Sequence, residues 1–242
     1  MKLERKAALV TGAGHRVGRA LAVALGNEGM KVAVHYHGAE EGAHETVEMI
    51  ERAGGEAVAL KGDLSTPAGP DDLVDQAVSR LGALDVVVNS AAVMMRTPIG
   101  KVTVEDWDFM FALNLRAPFF IAQAAAKVMT AGGSIVNIAD LAAYETWPEF
   151  VPHAISKAGV VKMTSALARL LAPAVRVNAV APGAVLLPPA TTDAVARHFA
   201  ETTPLGRLGS PQDVVEAMLY LLRADYVTGE TLIVDGGRHV RK

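Results

Sequence analysis

Cysteine is missing from the chain altogether. That excludes disulfides, thiol nucleophiles and thiolate metal sites, and it fits a reducing compartment. Aromatic residues are scarce, at 5%, so the core has to be built from aliphatic side chains. Basic runs are missing as well and the formal net charge is −3, which argues against nucleic acid as a partner. No grouping of His, Asp and Glu has metal-ligand spacing, so no metal is expected. The charged start, Met1-Lys2-Leu3-Glu4-Arg5-Lys6, passes directly into an apolar run without a signal-peptide pattern. No apolar stretch reads as membrane-spanning. The expectation is a cytoplasmic protein with no membrane partner.

What the chain does contain is apolar and regularly punctuated. Hydrophobic residues make up 51% of its 242 positions and charged residues 20%, a composition that supplies a large core. The organising stretch is 7–19. Ala7-Ala8-Leu9-Val10 reads as a strand buried on both faces, Thr11-Gly12-Ala13-Gly14 breaks it, and apolar residues recur at helical spacing from Arg16 onward. A strand, a glycine turn and a helix start make a place for a pyrophosphate: unpaired N–H groups point outward and glycine permits close approach.

Further strands are expected at 31–36, 56–60, 84–89, 133–138, 174–180 and 231–234, with helices at 39–53, 70–81, 103–129 and 150–171 and another starting at Ser210. Pro118 should bend or interrupt the third of these helices. This alternation predicts a single Rossmann-type doubly wound α/β domain over 1–242, a seven-stranded parallel sheet with helices on both faces. Ligands of such sheets bind beyond the carboxyl ends of the strands. The Thr11 turn, Asp63, Asn89, Asp140 and Pro182-Gly183 all follow strands at that edge. The stretch after Pro182, about 184–208, shows no clear sheet and reads as a segment covering the substrate, or as an irregular surface connection.

These residues resemble the short-chain dehydrogenases/reductases along essentially the whole chain. The resemblance rests on Thr11-Gly12-x3-Arg16-x-Gly18, Asp63-Leu64, Asn89-Ser90-Ala91-Ala92, Asn114, Pro182-Gly183 and Val234-Asp235-Gly236-Gly237. Within the family the chain looks most like the pteridine-reductase branch: Arg16 replaces a glycine of the turn, His35-Tyr36-His37 ends the second strand, and Asp140 stands where the catalytic serine is usual. The resemblance implies a nicotinamide dinucleotide held by Gly12, Gly14, His15, Arg16, Val17 and Gly18 at the turn. Tyr36, His37, Asp63 and Leu64 would surround the adenosine, and Asn89, Ala91, Lys157, Pro182 and Gly183 the remainder. Asp63 would bond the adenine amino group, or simply form a turn. An NAD-specific site places a carboxylate at the end of the second strand. Here Tyr36, His37 and Gly38 stand there, and Arg16 suits a 2′-phosphate. NADPH is therefore the expected cofactor, with NADH possible.

The family's working pair is Tyr-x3-Lys on a helix, preceded by a serine. Lys157 is present and the spacing from Asp140 to position 153 is retained, but position 153 is histidine. Residues four apart share a helix face, so His153 and Lys157 project together. Imidazole donates a proton efficiently only as the cation, and its ring ends nearer the backbone than a phenol. Three readings stay open. His153 is the acid of an NADPH-dependent reductase acting on a C=O or C=N bond, or Asp140 or a water supplies the proton, or the protein binds NADPH without turnover as a sensor or assembly partner. Asn114, His153, Lys157 and Asp140 are the catalytic candidates. A pterin plate is missing, since Val93-Met94-Met95-Arg96 contains no aromatic, though Trp147 and Phe150 stand near the rim. Family members form homotetramers through the long helices, and the same is expected here.

Overall fold

Runs such as Ala7-Ala8-Leu9-Val10 and Val86-Val87-Val88 have no polar side to turn to water, so they are stable only between two layers of helices. The computed structural model, which describes residues 1–187 and 191–240, gives them that place. Strands β1 (Ala7–Val10), β2 (Lys31–Tyr36), β3 (Glu56–Lys61), β4 (Val86–Asn89), β5 (Gly133–Ile138), β6 (Val175–Pro182) and β7 (Thr231–Val234) make one sheet. Its order is β3-β2-β1-β4-β5-β6-β7, and every neighbouring pair is parallel.

Helices α1 (Arg16–Asn27), α2 (Glu40–Arg52), α3 (Gly69–Leu81), α4 (Val104–Phe111), α5 (Ala117–Val128), α6 (Val151–Leu171), α7 (Asp193–Glu201) and α8 (Pro211–Arg223) cover the sheet and its edges. Alternation along β1 sorts the core. Ala8 and Val10 join Leu21, Leu25, Ile50 and Met218 under α1, α2 and α8. Ala7 and Leu9 join Leu73, Ile121 and Val160 under α3, α5 and α6. The expected fold is the observed one.

Sequence direction reverses between β1 and β4, which opens the crevice where such sheets bind ligands. Thr11 closes its floor: the hydroxyl accepts the N–H groups of Ser90 and Ala91 at 2.9 and 3.0 Å, tying the loops after the two strands together.

The 103–129 helix is interrupted beside Pro118, as expected, and the break lies just before the proline. A π turn, Ala112–Arg116, links α4 to α5. Proline carries no N–H for the carbonyl of Asn114 four residues back, and a wider turn adjusts the ladder there. The stretch from Pro182 to Gly206, expected without clear sheet, contains α7, whose Thr192 side chain caps it by accepting from Val195 N–H. Residues 188–190 of the expected covering segment lie outside the described residues. The run Val104–Val128 is also long and apolar enough by composition to cross a membrane, contrary to the reading of the sequence, and half of its most apolar 18-residue window is buried inside the protein.

Candidate active site

The glycine turn builds a cradle. Gly12 has φ +65, and a Cβ there would lie 2.8 Å from Ala91 Cα; a Cβ on Gly18 would lie 2.2 Å from the Gly12 carbonyl oxygen. The N-terminus of α1 has no side-chain cap and no acidic residue in its first turn. Helices α4 and α8, by contrast, are capped by Thr103 and Ser210. The uncapped N–H groups and the helix dipole face a cavity of about 390 Å3 lined by Gly12, Gly14, His15, Arg16, Val17, Gly18, Tyr36, His37, Asp63, Leu64 and Ala91. A dinucleotide fits this arrangement: glycine at the close approaches, open amides for the pyrophosphate, and His15, Arg16 and His37 in the lining. When bound, such a cofactor donates or receives the hydride.

His35 holds that turn in place. Its Nδ1 accepts the Gly12 N–H at 3.1 Å, and its Nε2 faces the Gly62 carbonyl at 3.2 Å. Both bonds require a neutral ring with hydrogen on Nε2. Burial pushes its pKa down to about 4, which keeps the ring neutral. One side chain thus joins the ends of β1, β2 and β3.

Several expected cofactor residues do other work. Asp63 Oδ1 accepts from Ser65 N–H at 2.8 Å and Ser65 Oγ at 2.6 Å, forming its own turn while lining the cavity. Those bonds hold its carboxyl below the usual range. Asn89 turns away from the cavity: its Nδ2 donates to Asn137 Oδ1 at 2.9 Å, and Asn137 donates onward to Thr164. Pro182 and Gly183 end β6 against β7, with Gly183 N–H donating to the Val234 carbonyl at 2.9 Å. Arg16 adopts φ +53, and its guanidinium donates to the Leu186 carbonyl across the crevice.

The four catalytic candidates lie together: Asn114 and His153 meet at the Val93 backbone, and Asp140 faces His153. Asn114, in the π turn, accepts Val93 N–H at 2.8 Å and donates to the Val93 carbonyl at 2.9 Å and to Ser156 Oγ at 3.1 Å. His153 Nδ1 lies 3.2 Å from the same carbonyl. Its Nε2 lies 3.6 Å from Asp140 Oδ2. One turn along α6, Lys157 donates from Nζ to the Ile138 carbonyl at 2.8 Å. Burial lowers its pKa to about 8, against the opposing pull of Asp140. Asp140 caps the short turn after β5 by accepting Ala142 N–H at 2.8 Å. Beyond this cluster Met94, Trp147, Phe150 and Phe199 line a cavity of about 530 Å3.

Sequence reasoning did not assign roles to the His35 ring, the Val93 carbonyl or Ser156. A histidine inside the apolar strand Lys31-Val32-Ala33-Val34-His35-Tyr36 was the available signal for the first. The other two had none, because their partners are remote in sequence.

A family model described as enoyl-(acyl carrier protein) reductase matches residues 12–239. The chain is 38% identical over 245 residues to 3beta-hydroxysteroid dehydrogenase 1 of Eggerthella lenta, covering 97% of this chain and 94% of that one. The chain belongs to the short-chain dehydrogenase/reductase family. A protein of Sinorhizobium meliloti 1021 assigned as a short-chain alcohol dehydrogenase superposes with a TM-score of 0.94 at 34% identity, over 100% of both chains. The angucycline C-6 ketoreductase LanV, solved with NADP, superposes with a TM-score of 0.93 at 33% identity, over 99% of this chain and 98% of that one. LanV has also been solved with rabelomycin bound. As a member of this family the protein is an NAD(P)-dependent oxidoreductase.

Proposed function

We propose that the protein exchanges hydride between NADP(H) and the carbonyl carbon of a flat, multi-ring ketone or its secondary alcohol. The observation that carries this reading is the meeting of Asn114 and His153 at the Val93 carbonyl, with Asp140 facing His153 and Lys157 one turn along the same helix, together with a glycine cradle open at the helix N-terminus. Lys157 is placed to hold the ribose of the nicotinamide, and the His153 and Asp140 pair to exchange the proton.

Preference for the phosphorylated cofactor is supported by Arg16, His15 and His37 on the cavity wall and by the lack of a carboxylate at the end of β2. The marks shared with pteridine reductases, Arg16, His35-Tyr36-His37 and Asp140, lie on the cofactor side or at the proton site. The substrate side supports a ring ketone better than a pterin: the run after β4 offers Met94, and the aromatic wall comes from Trp147 and Phe150, whose centroids are 6.4 Å apart. Relatives named for a 3beta-hydroxysteroid and for C-6 of an angucycline support the same class. The segment 184–208 would cover this space. Exposed apolar residues on α5 and α6, among them Phe119, Phe120 and Ile155, support assembly as a homotetramer, and the lack of cysteine supports a cytoplasmic setting.

Purified protein mixed with NADPH and 1-tetralone, NADH and a dihydropterin serving as comparisons, tests the reading. Ketone-dependent oxidation of NADPH, slower with NADH and reduced about 100-fold in His153→Phe, is the expected result. Turnover of the dihydropterin alone, or a preference for NADH, refutes it.

A further inference from the structure

Three residues of the π turn Ala112–Arg116 reach two different places. Leu113 lines the dinucleotide cavity, as do Asp63, Leu64 and Ser65 from the loop after β3. Asn114, the next residue, is buried and engages both polar groups of the Val93 backbone. Arg116 donates from Nη2 to the Ser65 carbonyl. One turn thus touches the loop after β3 on one side and the carbonyl beside His153 on the other.

The loop after β3 is built to move as one piece. Asp63 Oδ1 holds Ser65 through its N–H and its Oγ. Thr66 Oγ1 donates to the Asp63 carbonyl at 2.9 Å and accepts Gly69 N–H at 3.1 Å. The chain returns so closely that a Cβ on Gly69 would lie 2.0 Å from the Asp63 carbonyl oxygen. Leu64 is buried in the core that Ala117 joins and that Leu113 packs against. In such close packing a shift of Asp63 or Leu64 carries Ser65 with it, and the Arg116 guanidinium hands that shift to the turn. Arg116 is itself exposed, so the core does not depend on its side chain.

We propose that Arg116 is a positioning residue that ties the adenosine end of the cofactor site to the catalytic cluster. The inference rests on the oxidoreductase reading above, with the adenosine beside Asp63 and Leu64. A filled adenosine site fixes the loop after β3, and Arg116 passes that position to the π turn. Asn114 then sets the Val93 carbonyl and, with it, the ring of His153. Binding free energy from the end of the cofactor remote from the hydride is thereby used for orientation at the reacting end. The acceptor is a single backbone carbonyl, so one N–H donor suffices. Lysine at 116 keeps the function, and a long side chain without a donor loses it.

Adenosine 2′,5′-bisphosphate, which carries the adenosine and phosphates but no nicotinamide, tests this without turnover. Nitrogen-15 NMR of the Val93 N–H and the Asn114 side-chain amide is the readout. Saturation with the probe should move both signals in the parent protein and in Arg116→Lys. The probe should still bind Arg116→Met, since Arg116 is not in the cavity lining, and there it should leave both signals in place. Signals that stay still in the parent, or move equally in Arg116→Met, overturn the inference, as does loss of probe binding in that variant. A probe that does not bind the parent refutes the NADP(H) reading itself, and the inference falls with it. Turnover of 1-tetralone supplies the second arm. Arg116→Met should lower kcat with NADPH about tenfold, and lower it much less with reduced nicotinamide mononucleotide, which has no adenosine to bind. Equal losses with the two cofactors mark a merely structural residue and overturn the inference. Absence of turnover with either refutes the proposed function instead, and the NMR result then decides this inference alone.

Discussion

Acidification should destabilise this protein through His35. The ring is buried, and its folded pKa of about 4 lies below the ordinary imidazole value of 6.5. The unfolded chain therefore binds a proton more readily than the folded one. Stability from this group is complete above pH 6.5 and is lost as pH falls toward 4. A difference of about 2.5 units, at 1.36 kcal/mol each, corresponds to a loss of about 3 kcal/mol. The structural event is specific: a proton on Nδ1 removes the acceptor for Gly12 N–H and puts two donors face to face. Urea unfolding at pH 7.5 and pH 4.5 measures it, with His35→Asn as the reference. Asparagine keeps an acceptor near the Nδ1 position but does not titrate, so it should cost about 1–3 kcal/mol at pH 7.5 and then lose about 3 kcal/mol less than the parent on acidification. Equal losses in the two proteins would refute the argument, because the acid sensitivity would then lie elsewhere.

Three further outcomes follow from the site. Arg16→Gly removes a side chain from the left-handed backbone region, so it should stabilise the apoprotein by about 1 kcal/mol while raising the NADPH KM more than the NADH KM; urea midpoints and steady-state kinetics read the two effects. Lys157→Met removes a buried cation whose pKa burial has lowered to about 8. Because that group destabilises the fold below pH 8, the variant should gain up to about 3 kcal/mol at pH 7 yet lose turnover, and a loss of both would contradict the reading. Gly18→Ala forces a Cβ against the Gly12 carbonyl and should destabilise the fold by more than about 2 kcal/mol, with loss of dinucleotide binding by calorimetry.

The sheet was legible because strands buried on two faces are written as plain apolar runs, and glycine, proline and aspartate mark where they stop. Spacing alone also placed His153, Lys157, Asp140 and Asn114 in one cluster. What the sequence concealed was direction. Nothing local shows that Asn89 turns to Asn137 rather than to the cavity, or that Arg16 reaches the Leu186 carbonyl, since both partners are distant in the chain. Helix α7 escaped notice because it is short, although Val195 and Phe199 stand four apart on one face. His35 looked like a family mark, and its work as a strut depends on the spatial meeting of three strand ends.

The π turn between α4 and α5 carries one residue more than α-helical hydrogen bonding would use. Everything before it, including Trp107 and Phe111, is thereby rotated by roughly a quarter turn, about 100° per residue, relative to Phe119 and Phe120 after it. The helix works as a keyed coupling whose two halves are set at a fixed angle, with Asn114 as the key. Deleting a single residue there would misalign the shaft: Asn114 would leave Val93, and His153 would lose the clamp on the carbonyl that fixes its ring.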